Sequence, residues 1–192
     1  MIRPFVIAVL LSLAAGTARA QPCRDIRVFN FRNATIPVAA QDDGGRSGPD
    51  LFQLHGGVGF LSDDPDSSQS HDWGLQLLAD RVEQPDPSTW IRVIVVDKDH
   101  LTGTGDWHYV MAFGCRNGLL VSIFQYGSEG VELRHLSGQR LDLYQAVWTK
   151  DDAHCCPSGH VDIVYKWDAQ QHKYRKASSA SSPESTPRSD KQ

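Results

Sequence analysis

The chain has 192 residues, 40% of them hydrophobic, with 19 basic residues against 23 acidic ones and a formal net charge of −4. That balance excludes the basic stripe of a nucleic-acid binder and offers no attraction to an anionic membrane surface. The length suits one domain with a real core once the two ends are set aside.

Residues 1–20, "MIRPFVIAVLLSLAAGTARA", begin with one early positive charge, Arg3, followed by an apolar run from Phe5 to Ala15. They close on Ala18-Arg19-Ala20, the small-x-small pattern of a signal-peptide cleavage site. The apolar run is shorter than the ~20 residues that cross a bilayer, so no membrane anchor is expected. Cys23 follows Ala20-Gln21-Pro22, which is not the small-residue sequence of a lipoprotein. The expectation is cleavage after Ala20 and export by a bacterial cell to the periplasm or beyond. The mature chain keeps 17 basic and 23 acidic residues, a net charge of −6.

In the mature chain, "IRVFNF" (26–31) and "TIPVAA" (35–40) are expected strands, with Pro37 confining the second to an edge. "DDGGRSGPD" (42–50) is a loop, "LFQLHGGVGF" (51–60) a hairpin, and "SDDPDSSQSHD" (62–72) a polar loop whose Asp63, Asp64, Asp66 and Asp72 match no EF-hand spacing. "WGLQLLADRV" (73–82) is the one stretch with helical periodicity. "WIRVIVVD" (90–97) is rich in β-branched residues and predicts a central strand. "HYVMAFGC" (108–115) and "LLVSIFQYG" (119–127) flank Arg116-Asn117-Gly118, a strong hairpin turn. "VELRHL" (131–136), "LDLYQAVW" (141–148), "VDIVYKWD" (161–168) and "HKYRK" (172–176) continue the series. The final "ASSASSPESTPRSDKQ" (177–192) has alanine as its only apolar type and reads as a disordered tail. The expected fold is therefore mainly β: a single antiparallel β-meander domain over 21–176, a barrel or a sandwich, with at most one short helix and stapled by disulfides.

Cys23, Cys115, Cys155 and Cys156 make an even count in an exported chain and point to two disulfides. A Cys155–Cys156 bond would close a strained eight-membered ring. The expectation is that Cys23 and Cys115 each bridge to one of the adjacent pair, in either of two connectivities. A zinc site from His154, Cys155, Cys156 and His160 competes, but zinc signatures space their cysteines by two to four residues. No Cys-x-x-Cys redox motif is present.

"DHLTGTGDWHYVMAFGC" (99–115), followed later by Cys155–Gly159 and the aromatic strand Val161–Trp167, resembles small secreted bacterial domains related to FG-GAP (integrin-type) repeats. The resemblance covers about residues 91–175 and implies a strand, a glycine-rich loop and a second strand. In that family the loop holds calcium through carboxylates, which a hard cation requires. Here His100 and Thr104 stand at the acidic positions, while Asp97, Asp99 and Asp106 lie nearby but out of register. The loop keeps its turn residues and lacks the ligands, so no metal or cofactor is expected.

Nucleophile elbows, H-E-x-x-H and the P-loop are absent. His100 and His108 flank the glycine-rich turn with Asp106 between them, and could meet across a hairpin mouth. Trp73, Trp90, Trp107, Trp148 and Trp167 supply either core or a carbohydrate- or peptide-binding face. Two functions follow. The preferred one is a non-catalytic exported domain that binds a protein or small ligand through loops or an aromatic face. The alternative is a hydrolase or metal-dependent enzyme using His100, Asp106 and His108.

Overall fold

A computed structural model describes residues 21–39, 49–61, 73–101, 106–153 and 156–183. Among these described residues, eleven antiparallel strands form three sheets. The central sheet is a meander of β3 (Val58–Leu61), β4 (Trp73–Asp86), β5 (Thr89–His100), β6 (Asp106–Arg116) and β7 (Leu119–Glu129). A second meander of β8 (Val131–Ser137), β9 (Arg140–Val147), β10 (Gly159–Asp168) and β11 (Lys173–Pro183) packs on one of its faces. The opposite face is covered by β1 (Thr35–Val38), β2 (Asp50–Gln53) and two 3₁₀ turns, Ile26–Val28 and Phe31–Asn33.

Period-2 alternation decides which core each side chain enters. On β5, Ile94 and Val96 face the N-terminal layer, where Phe31, Phe52, Met111 and Phe113 also lie. Ile91 and Val93 face the second sheet and meet Leu141, Leu143, Ile163 and Tyr174. The central sheet is thus buried on both sides, which explains the near-continuous apolar run of 90–97.

The arrangement is a sandwich rather than a closed barrel. The chain passes from β7 to β8 through Gly130 without pairing them. Gly130 has φ +65°, and a Cβ there would come within 2.6 Å of the Ala146 Cβ, so only glycine makes this corner. The Asn117-Gly118 turn joins β6 to β7 with both residues at positive φ, as a two-residue hairpin requires.

Four expectations are corrected. The 73–82 segment is strand β4, paired with β5 from Trp73 to Asp86. A β-bulge between Leu77 and Ala79 inserts one residue, and the exposed Leu78 and Val82 fall three and seven positions after the buried Leu75, a spacing that imitates a helix. The 26–31 segment forms 3₁₀ turns because the Asp25 side chain accepts the Arg27 N–H and caps the first one. Residues 177–183 are not tail: β11 runs to Pro183, with Ser181 and Ser182 paired to Val161 and His160. Backbone ladders need no apolar side chain, so serines can complete an edge strand; residues 184–192 lie outside the described ones. In 51–60 the turn is present, but β2 pairs with β1 and β3 with β4, so its two arms enter different sheets.

The disulfide pairing also differs. Cys23 is bonded to Cys115. The segment from Gln21 to Cys23 lies beside the β6–β7 turn, where the Leu120 N–H donates to the Gln21 carbonyl and the Cys23 N–H to Gly118, both at 2.8 Å. Cys156 precedes β10, whose Gly159 is opposite Val147, near the Trp107 end of β6. Cys115 ends that strand about 26 Å away at the usual rise per residue, far beyond disulfide reach. Cys156 is itself disulfide-bonded; Cys155 and His154 lie outside the described residues.

Candidate ligand-binding cleft

The histidine constellation is divided by the sheet. His100 lies on the N-terminal face, its ring edge-on to Trp73 with centroids 4.6 Å apart. His108 lies on the opposite face, where Nδ1–H donates to the Val131 carbonyl at 2.9 Å and Nε2 is 3.7 Å from Asp97 Oδ1. Alternation sets this: His108 is opposite Asp97, one position out of phase with the Trp73–His100 pair. Asp99 pairs with Asp106 in the backbone ladder; the Asp106 side chain and loop 102–105 lie outside the described residues. Among the described residues, no group of three His, Cys, Asp or Glu side chains could hold a metal. His108 does line a cleft of about 320 Å³ between β4, β5 and β8, together with Arg81 and Arg134.

The "DDAHCCPSGH" corner is organised by Asp152. One of its carboxylate oxygens accepts from the Thr149 N–H at 2.6 Å, the Ser158 N–H at 3.0 Å and the Ser158 hydroxyl at 2.9 Å. The backbone donors, the Thr149 N–H foremost, hold its carboxyl below the usual range. His160 stacks on Tyr144 at 4.9 Å, and Arg134 covers Tyr144 at 4.4 Å.

The tryptophans divide between core and surface. Trp73 is buried in the N-terminal core and Trp107 packs against it, and Trp148 lies against Gly130. Trp167 instead lines a cleft of about 230 Å³ with Ser88, Thr89, Arg116 and His172, while the ring of Trp90, one position out of phase with Thr89 and Ile91, lies on the N-terminal face under Arg27. Its position follows from pairing. The β5–β6 ladder stops at Arg92 opposite Phe113, so Thr89–Ile91 and Gly114–Arg116 separate and open a gap at the turn end of the sandwich. The β4–β5, β6–β7 and β10–β11 turns all reach this end.

Each wall is fixed by named contacts. Asp86 accepts from the Ser88 hydroxyl at 2.7 Å, the Ser88 N–H at 3.0 Å and the Trp167 indole N–H at 2.9 Å. The Ser88 hydroxyl contributes most to bringing its pKa down to about 2, against a smaller opposing cost of burial. The Trp167 indole is thereby locked by its polar edge. Asp168 accepts the Gln170 and Gln171 N–H groups, and the chain turns through His172 at φ +49°. His172 Nδ1 stands 3.5 Å from the Thr89 hydroxyl. Trp90 is 39% exposed, with the Arg27 guanidinium 5.4 Å from its ring centroid. Cys115 ties the Gly114–Arg116 wall to the N-terminal segment.

These features define a disulfide-stapled antiparallel β-sandwich with a shallow aromatic cleft at its turn end. No family model, curated protein or solved structure matches the chain. Ser88, Thr89, Arg116 and His172 carried no motif in the sequence. The only signal was their place in or beside hairpin turns, and a linear reading cannot show that three turns converge.

Proposed function

We propose that the protein is an exported, non-catalytic binding domain that takes a small ligand in the turn-end cleft. The observation that carries this reading is the convergence of Trp167 with Ser88, Thr89, Arg116 and His172 on a gap at the turn end of the sandwich. Pockets of this kind, an apolar lining with a few placed polar groups, are the usual form of small-ligand sites. The catalytic alternative loses its shared site, because His100 and His108 act on opposite faces of one sheet. Export is supported by the signal-like first twenty residues and by Gln21, the first residue after the expected cleavage point. Its side-chain amide bonds the Thr35 backbone in both directions. No membrane anchor is expected; among the described residues no helix is long and apolar enough to cross a bilayer.

The reading is tested by a fragment screen on the ¹⁵N-labelled mature protein. Hits that perturb the Trp167 indole resonance together with the backbone signals of Thr89, Arg116 and His172 support it. A screen whose hits all fall elsewhere, or one with no hits, rejects it.

A further inference from the structure

We infer that the cleft between β4, β5 and β8 is a second site, which takes an aliphatic monocarboxylate with its alkyl chain in the groove and its carboxylate on Arg81. This cleft shares no lining residue with the one at the turn end, so the inference stands apart from the binding reading above.

The groove is a step between the two sheets. Ladder partners share a face, so Ala79 and Arg81, opposite Val95 and Val93, point toward the second sheet with them. Leu78, the extra residue of the bulge, lines the same floor and is 49% exposed. The wall is β8, the edge strand of the second sheet. Its Leu133 and Leu136, opposite the buried Leu143 and Leu141, turn inward. Glu132 and His135, opposite Tyr144 and Asp142, turn outward. The floor and the inner wall are therefore apolar, with Arg81 as the charge on the floor. At about 320 Å³ the cleft falls at the lower end of the roughly 300–1,000 Å³ usual for small-ligand sites.

Charge places the head group. The lining holds Arg81, Arg134, His108 and His135 against one carboxylate, Glu132, in a chain whose net charge is −4. Arg134 is engaged elsewhere, paired with Glu132 at 3.1 Å and lying over Tyr144. His108 is engaged too, donating Nδ1–H to the Val131 carbonyl with Nε2 toward Asp97. Arg81 is exposed and makes no ion pair among the described residues. It stands opposite Val93, and His108 stands opposite Asp97, four residues or roughly 13 Å further along β5. A carboxylate on Arg81 thus leaves an alkyl chain to run over Val93 and Val95 toward Leu78 and Val131. A peptide strand is the other natural occupant of a sheet edge, but β8 is guarded against one. A bulge between Leu133 and His135 breaks its register, Glu132 and Arg134 stand along it, and His108 already takes the Val131 carbonyl.

The test titrates the full, ¹⁵N-labelled mature protein with acetate, hexanoate, octanoate and octanol, each below the concentration at which it self-associates. Octanoate is expected to shift the amide signals of Leu78, Arg81, Val95 and Leu133. It should bind roughly tenfold tighter than hexanoate, about three- to fourfold for each added methylene. Arg81→Gln is expected to weaken octanoate about fivefold or more, the loss of a charge-assisted contact, with octanol binding and the rest of the spectrum unchanged. Octanol that binds as tightly as octanoate overturns the role of the carboxylate. Acetate that gives the same shifts at the same affinity overturns the alkyl groove and leaves an adventitious ion only. Octanoate shifts confined to other strands, or none at all, overturn the site. A blocked peptide alternating valine and threonine, titrated in parallel, is expected to leave β8 unmoved. Shifts along Val131–Leu136 from the peptide and from no carboxylate would make the cleft a strand-docking edge and overturn the ligand.

Discussion

Among the described residues, Lys98 is a charged side chain in a buried place. It is 2% exposed, pairs with Asp50 Oδ2 at 2.8 Å, and sits 4.3 Å from the Trp73 ring centroid and 5.9 Å from that of Phe52. A buried ion pair adds little beyond an apolar pair of the same shape, but half of one is costly. Asp50→Asn is expected to lower stability by about 3–5 kcal/mol in urea unfolding, and the double change Asp50→Leu with Lys98→Met by much less. Equal losses in the two variants would show that shape, not charge, is what the site requires. Asp86 gives a pH signature at the same scale. Its folded pKa of about 2 lies below the ordinary 3.8, so its stabilising contribution is complete above about pH 4 and is lost as pH falls through 2. The Trp167 indole resonance should move over that acid range in the native protein and show no such titration in Asp86→Asn. A resonance that ignores pH between 5 and 2 would contradict the assigned contact. Neither residue stood in a sequence motif: Lys98 follows the apolar run 90–97, and Asp86 lies between the 73–82 segment and that run.

Among the elements, the β6–β7 hairpin shows two different uses of glycine. Gly118 supplies positive φ in the turn, which "NG" announces. Gly127 is required by packing: it is opposite Tyr109, and a Cβ would fall 2.0 Å from that ring's Cδ1. Gly127→Ala must displace a buried aromatic and is expected to cost about 1–3 kcal/mol by thermal or urea unfolding. A variant as stable as the parent would mean that the ring swings aside freely. Strand β4 shows why element type was harder to read than element existence. Trp73, Leu75 and Leu77 alternate as a half-buried strand should, and all three are buried in one core. The bulge after Leu77 then shifts the phase. A bulge is specified jointly by two strands, so the β4 residues alone carry only an ambiguous period. The serine-rich end of β11 is the same lesson with weaker side chains, since its order depends on the β10 ladder beside it.

For the whole molecule, the Cys23–Cys115 bond joins residues 92 apart in sequence and links the N-terminal layer to the far end of the central sheet. Closing a loop of that size restricts the unfolded chain, and replacing both cysteines by serine is expected to cost about 2–5 kcal/mol. Non-reducing peptide mapping of the mature protein should recover the Cys23–Cys115 peptide. Recovery of either cysteine joined to Cys155 or Cys156 would refute this pairing. What the amino-acid sequence determined by itself is local: the β-branched and aromatic runs, the Asn-Gly turn, the mainly antiparallel β class, the export-like leader and the paired count of cysteines. Each of these is written in neighbouring residues, because propensity, turn geometry and alternation act over a few positions. The tertiary structure alone decided the choice of sandwich over barrel, the pairing of Cys23 with Cys115, the separation of His100 from His108, and the gathering of Ser88, Thr89, Arg116 and His172 beside Trp167. Those depend on strand register and on which face each side chain takes, and a one-residue shift in a ladder reverses the face without leaving a mark on the local pattern.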